Sequence, residues 1–182
     1  LILRLTTLAE AVLSWTFINV NLPKKLISVF ESDQNPSLRP GATWKDTILD
    51  PSITQLFFDL HMRVRHDSEL SHHTINCLIQ LSSLNGTVMT KKENRLEYLT
   101  NYITCFLRFI ANLGNAGSIH PMEALGCSNI LRKIMLFFPP SLQINLPAHV
   151  LEEYLKQLTQ LTCHFMKEAS NSASQKGNGM ED

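Results

Sequence analysis

The chain has 182 residues, 44% hydrophobic and 18% charged, with 16 basic and 16 acidic side chains and a formal net charge of zero. That length buries a core without a disulfide or metal staple, and the charge balance excludes a nucleic-acid binder working through a global basic field. No run reaches the roughly 18 apolar residues of a transmembrane helix, so no membrane insertion is expected.

Leu1, Leu5, Leu8, Val12 and Trp15 recur at helical spacing and predict a helix over 1–17 that packs through this stripe. Arg4 and Glu10 interrupt it, which argues against a secretory signal. The chain opens inside the pattern without Met, as expected of a piece of a longer protein. Asn19 to Pro23 forms a break, Leu22, Leu26, Val29 and Phe30 allow a shorter second helix, and the polar loop SDQNPSLRPGAT follows.

Asp50-Pro51 is a helix start, because Asp caps free amides and Pro costs nothing at the first helical position. Ile53, Leu56, Phe57, Leu60 and Val64 form its stripe. Asp67 or Ser68 opens the next helix, with Leu70, Thr74, Cys77, Leu78, Leu81 and Leu84 inward and Asn85-Gly86 as its closing turn. Glu93 to Leu113 is a third strong helix, with Leu96, Leu99, Ile103, Phe106, Leu107 and Ile110 on one face and Gly114 at its end. His120-Pro121 starts a fourth, with Cys127, Ile130, Leu131, Ile134 and Phe138 inward, and Pro139-Pro140 stops it. Leu146-Pro147 starts the last, over 147–168, on the stripe Leu151, Tyr154, Leu155, Leu158, Leu161 and Phe165. Residues 169–182 are almost devoid of apolar side chains and read as a flexible tail or a truncated interhelical loop.

Cys77, Cys105, Cys127 and Cys163 show no C-x-x-C pairing and read as four reduced, buried thiols. His61, His66, His72 and His73 do not converge by spacing, so they read as surface or semi-buried histidines rather than metal ligands. There is no G-x-S-x-G elbow and no glycine-rich phosphate loop, and the adjacent pair Glu152-Glu153 suits a helix start. No enzyme activity and no cofactor are expected. Asn85-Gly86-Thr87 has the form of a glycosylation sequon but reads as a turn.

Helix starts near 51, 93 and 147 lie 42 and 54 residues apart, close to the ~40–47 residues of HEAT or armadillo repeats. The expectation is an all-α, HEAT-like α-solenoid of stacked antiparallel helix pairs over 1–168, with pairs near 51–85 and 93–138 and flanking helices 1–17 and 147–168. A compact helical bundle is the rival architecture.

An ordered set of words runs from about 12 to 166. It comprises Leu13-Ser14-Trp15-Thr16-Phe17, Phe30-Glu31-Ser32, Leu38-Arg39-Pro40, Trp44-Lys45-Asp46 and Ile48-Leu49-Asp50. It continues with Leu56-Phe57-Phe58, His61, Arg65-His66-Asp67-Ser68, Cys77-Leu78-Ile79-Gln80-Leu81, Ser83-Leu84 with Gly86, Tyr98-Leu99, Phe137-Phe138-Pro139, Leu158-Thr159 and Leu161-Thr162-Cys163. In this set the chain resembles the exportins of the importin-β (karyopherin) superfamily. The resemblance implies a superhelix of HEAT repeats that shuttles between nucleus and cytoplasm, and partners that include Ran-GTP, protein cargo such as the hypusinated translation factor, and nuclear pore proteins. It also implies that second helices of pairs line the concave side. Here these are Ser68 to Asn85 and Pro121 to Phe138, whose polar faces offer His72, Asn76, Gln80 and Ser83, then Asn129, Arg132 and Lys133, as a partner-contact surface. A HEAT scaffold outside transport, such as a phosphatase or chromatin scaffold, is the alternative.

Overall fold

The computed structural model describes residues 1–15, 37–117 and 119–177. Among these the chain is all-helical, without strands: α1 (Ile2–Leu13), α2 (Lys45–Ile48), α3 (Pro51–Val64), α4 (Ser68–Leu81), α5 (Lys92–Asn115), α6 (Pro121–Phe137), α7 (Pro140–Gln143) and α8 (Ala148–Gly177). The expected break at Asn19 to Pro23 and the short helix through Phe30 lie outside the described residues.

The helix starts form for the reasons their sequences suggest. Asp50 Oδ1 accepts the Ser52 N–H at 2.9 Å, with Pro51 at the first helical position of α3. Asp67 Oδ1 accepts from Glu69 and Leu70 N–H at 3.1 and 3.0 Å and caps α4. Pro121 opens α6 behind a capping box, in which Glu123 accepts the His120 backbone N–H at 2.8 Å.

Helix α4 is the centre of the packing: α1, α3 and α6 all lie against it, α3 also packs on α5, and α5 on α8. The contacts therefore run in two rows, α1–α4–α6 and α3–α5–α8, joined across α3 and α4. Between them Phe58 meets the rings of Tyr102 at 5.5 Å and Phe109 at 5.4 Å. The hydroxyls of Tyr98 and Tyr102 donate to the carbonyls of Leu81 and Leu78 at 2.9 and 2.7 Å, so both enter the core with their polar ends satisfied. Leu38, nearly fully buried, straps the segment before α2 onto the end of α4: its carbonyl accepts the Asn85 N–H at 2.8 Å.

The expected inward faces of α4, α5 and α6 are the ones buried or half-buried here. Two other helices are rotated relative to their apolar stripes. In α1, Leu5 and Leu8 are 56% and 60% exposed, while Thr6 and Leu13 are buried. In α3 the buried line is Thr54, Phe58, His61 and Arg65, with Leu56 turned to solvent. Polar side chains on both helices find partners on neighbouring helices, Glu10 on α1 and His61 and Arg65 on α3, while Thr6 bonds to carbonyls of its own helix. Helix α4 ends at Leu81 with Ser82 as its cap, so Gly86 (φ 86°) is not its closing residue but opens a 3-10 turn, Thr87–Met89. The expected tail is helix as far as Gly177. Extending an existing helix fixes one residue per added bond and requires no apolar face, and Ala169, Ala173, Gln175 and Lys176 are favourable helix formers.

Candidate interaction surface

The polar positions on α4 and α6 divide into two groups. His72 and Arg132 are exposed and Asn129 is half-buried. The others are engaged between helices. Asn76 Nδ2 donates to Glu10 Oε1 of α1 at 2.8 Å and lies 3.2 Å from His72 Nε2. The same Glu10 carboxylate pairs with His73 Nδ1 at 2.5 Å, so a glutamate on the inward face of α1 is what turns that helix toward α4. Lys133 is only 5% exposed. Its ammonium donates to Gln80 Oε1 at 3.1 Å and to Ser83 Oγ at 3.3 Å. Burial, aided by the nearby Arg132 charge, pushes Lys133 down to about 8. Lys133, Gln80 and the buried Ser83 thus brace α6 against α4 instead of facing outward.

Around Arg132, α6 also exposes Met122, Leu125, Met135 and Leu136. Positions 122, 125, 129, 132 and 136 recur at helical spacing and form one outward line, apolar with a guanidinium in its middle. That line was readable in the sequence as a second stripe, but the stronger stripe through Cys127, Ile130 and Ile134 eclipsed it.

Behind this surface lies a buried polar junction at the end of α3. Arg65, the C-cap of α3, binds Glu123 with both ends of its fork, Nε to Oε1 at 2.7 Å and Nη2 to Oε2 at 2.8 Å. Burial alone raises the Glu123 carboxyl, but the Arg65 bonds and the His120 N–H outweigh it and hold the group below the ordinary carboxylate value. His61, expected at or near the surface, is fully buried beside this pair. Its Nδ1 lies 2.7 Å from Thr74 Oγ1, whose hydroxyl donates to the Leu70 carbonyl at 2.8 Å. His61 Nε2 faces Glu123 Oε1 at 3.6 Å. Burial is the main reason His61 is pushed down to about 4.

Among the described residues no three metal-ligating side chains converge. The His66 ring meets His120 edge-on at 5.5 Å, and His72 meets His73 at 5.8 Å. Cys77 and Cys127 are buried, and burial pushes both thiols up to about 12; burial also raises the Cys105 thiol. Cys163, expected inside, is exposed on α8. No described helix is long and apolar enough to cross a membrane. No protein-family model matches the chain.

Proposed function

We propose that the chain is a segment of an exportin-type nuclear transport receptor, resembling exportin-4 in its ordered words, and that its helices are HEAT-like repeats of an α-solenoid. The observation that carries this reading is the order of packing. Helices α3 and α4 pack as an antiparallel pair, and the next helices continue from it, α5 on α3 and α6 on α4, which is the kind of onward packing by which repeat units bury their faces on one another. A receptor of this kind is not an enzyme and needs no cofactor. Ran hydrolyses the GTP, and the solenoid makes binding of Ran-GTP and protein cargo mutually favourable, a coupling between two sites. The hypusinated translation factor is the cargo class the resemblance suggests, nuclear pore proteins are the transit partners, and the protein shuttles between nucleus and cytoplasm.

Within this segment the outward line of α6, with Arg132, Asn129, Leu125 and Leu136, and the exposed His72 of α4 form the contact face. Arginine flanked by exposed apolar side chains is the composition of an interface core. The test is capture of Ran locked in its GTP form by the full receptor, with and without Arg132→Glu. Nucleotide-dependent capture is expected, weakened several-fold by the substitution. Failure of the full receptor to bind Ran-GTP overturns the transport reading and favours the generic HEAT scaffold. Normal capture with no effect of Arg132→Glu on Ran or cargo removes only the contact face.

A further inference from the structure

The turn after α4 carries Asn85-Gly86, which the proposed function does not use. The Asn85 backbone N–H is held by the Leu38 carbonyl at 2.8 Å, which fixes the residue in place. Its side chain folds forward, so that Oδ1 accepts the Gly86 backbone N–H at 2.9 Å. The Gly86 nitrogen therefore lies beside the Asn85 carboxamide. Gly86 brings no Cβ to crowd the approach, and its φ of 86° and ψ of −153° belong to a region glycine alone enters readily. Asn85 Nδ2, the group that would leave, makes no hydrogen bond among the described residues. Both residues are half-buried, so water reaches the turn.

We propose that Asn85 is a site of spontaneous deamidation and isoaspartate formation. The Gly86 nitrogen attacks the side-chain carbonyl carbon of Asn85, and the new C–N bond closes a five-membered succinimide as the bond to Nδ2 breaks. The Gly86 amide proton passes to solvent, and the departing nitrogen takes up a proton from solvent and leaves as ammonia. Water then opens one ring carbonyl, giving aspartate, or isoaspartate when the main chain is rerouted through the side chain. Water is the sole co-reactant, and nothing is oxidised or reduced.

The product matters because of what the turn holds. A carboxylate here follows the C-terminal end of α4, where the helix dipole disfavours negative charge. The rerouted chain also gains one backbone carbon between the residue bonded to Leu38 and the one packed on Arg39, 3.3 Å from the position of a Gly86 Cβ. The strap from Leu38 to Pro40 loosens as the protein ages.

The test is timed incubation of the folded protein at mildly alkaline pH, followed by peptide mapping and methyl transfer by an isoaspartate-specific methyltransferase. The Asn85 peptide is expected to lose its amide no more slowly than a synthetic peptide of residues 81–90 and to become a methyl acceptor. The peptides holding Asn76, Asn101 and Asn129 are expected to stay unchanged. The chain's other Asn-Gly pair, Asn178-Gly179, maps to a separate peptide and is read independently. An Asn85 amide that survives in the folded chain after the synthetic peptide has converted overturns the proposal. So does conversion in the folded chain without any methyl acceptance at this peptide.

Discussion

Arg65 and Glu123 join the end of α3 to the start of α6 through two parallel bonds of 2.7 and 2.8 Å, with the carboxylate wholly buried. Residues 58 positions apart are thereby locked across two helix ends, and the same carboxylate closes the capping box of α6. Breaking one side of such a pair leaves an uncompensated buried charge, which costs about 3–5 kcal/mol. Glu123→Ala is expected to lose that much, read as a lower urea midpoint at unchanged slope. The double variant Arg65→Met, Glu123→Leu is expected to recover most of the loss, because apolar replacement of both partners removes the stranded charge. A double variant no more stable than Glu123→Ala contradicts this account of the junction.

His61 makes the same junction acid-sensitive. In the unfolded chain it titrates near 6.5, and in the fold burial holds it at about 4. Between those values the unfolded chain binds a proton that the folded chain does not, so stability falls as pH drops through this window and levels off below it. The difference is worth about 3 kcal/mol. Glu123 acts in the same direction: its carboxyl is held low in the fold, and its contribution is lost as pH falls through its folded value. His61→Gln is expected to flatten the upper part of the window in urea midpoints measured from pH 7 to pH 4. An equally steep fall in the variant shows that His61 is not the group responsible.

Much of this fold was legible in the sequence, and the exceptions share one cause. Asp50, Asp67 and Pro121 announce their helices because capping is a local interaction between residues two or three apart. The stripes of α4, α5 and α6 are dense enough in apolar residues to fix which side faces in. In α1 and α3 the phase is decided instead by Glu10, His61 and Arg65, polar residues that pack inward because His73, Thr74 and Glu123 wait on other helices. Apolar spacing cannot register a polar partner on another helix, whether 13, 58 or 63 positions away. The candidate surface failed at Lys133 for the same reason: a lysine on a predicted polar face turns inward when Gln80 and Ser83 receive it.

Gly126 offers a test in which two effects predict opposite signs. It sits inside α6, where Gly→Ala ordinarily gains up to about 1 kcal/mol in helix propensity. Here a Cβ at Gly126 would lie 2.3 Å from Ile75 Cγ1 and 2.8 Å from Ile75 Cδ1, on the buried side facing α4. The helices approach through that missing side chain. Gly126→Ala is therefore expected to destabilise, by about 1–3 kcal/mol as for other overpacked sites. Ile75→Ala, costly alone, is expected to lose less in the Gly126→Ala background, so that the double variant loses less than the sum of the single losses in a double-mutant cycle. Measured additivity of the two changes would place Gly126 away from Ile75.

The orientation of α1 makes the sharpest distinction between apolar pattern and packed structure. The stripe of Leu1, Leu5 and Leu8 points to solvent, and Leu13 with Thr6 points to the core. Leu5→Ser and Leu8→Ser are therefore expected to change stability by no more than about 0.5 kcal/mol, the scale of surface substitutions. Leu13→Ala removes buried methyl groups and is expected to cost about 2–5 kcal/mol. Removing the exposed leucines also shrinks an apolar patch of the kind that drives association, so the Leu5→Ser, Leu8→Ser variant is expected to self-associate less in sedimentation at high concentration. Thermal melts of the three variants in the full chain decide the matter. If the serine substitutions cost more than Leu13→Ala, the stripe rather than the Thr6–Leu13 line is the packed face, and the Glu10–His73 bond does not set the rotation of the helix.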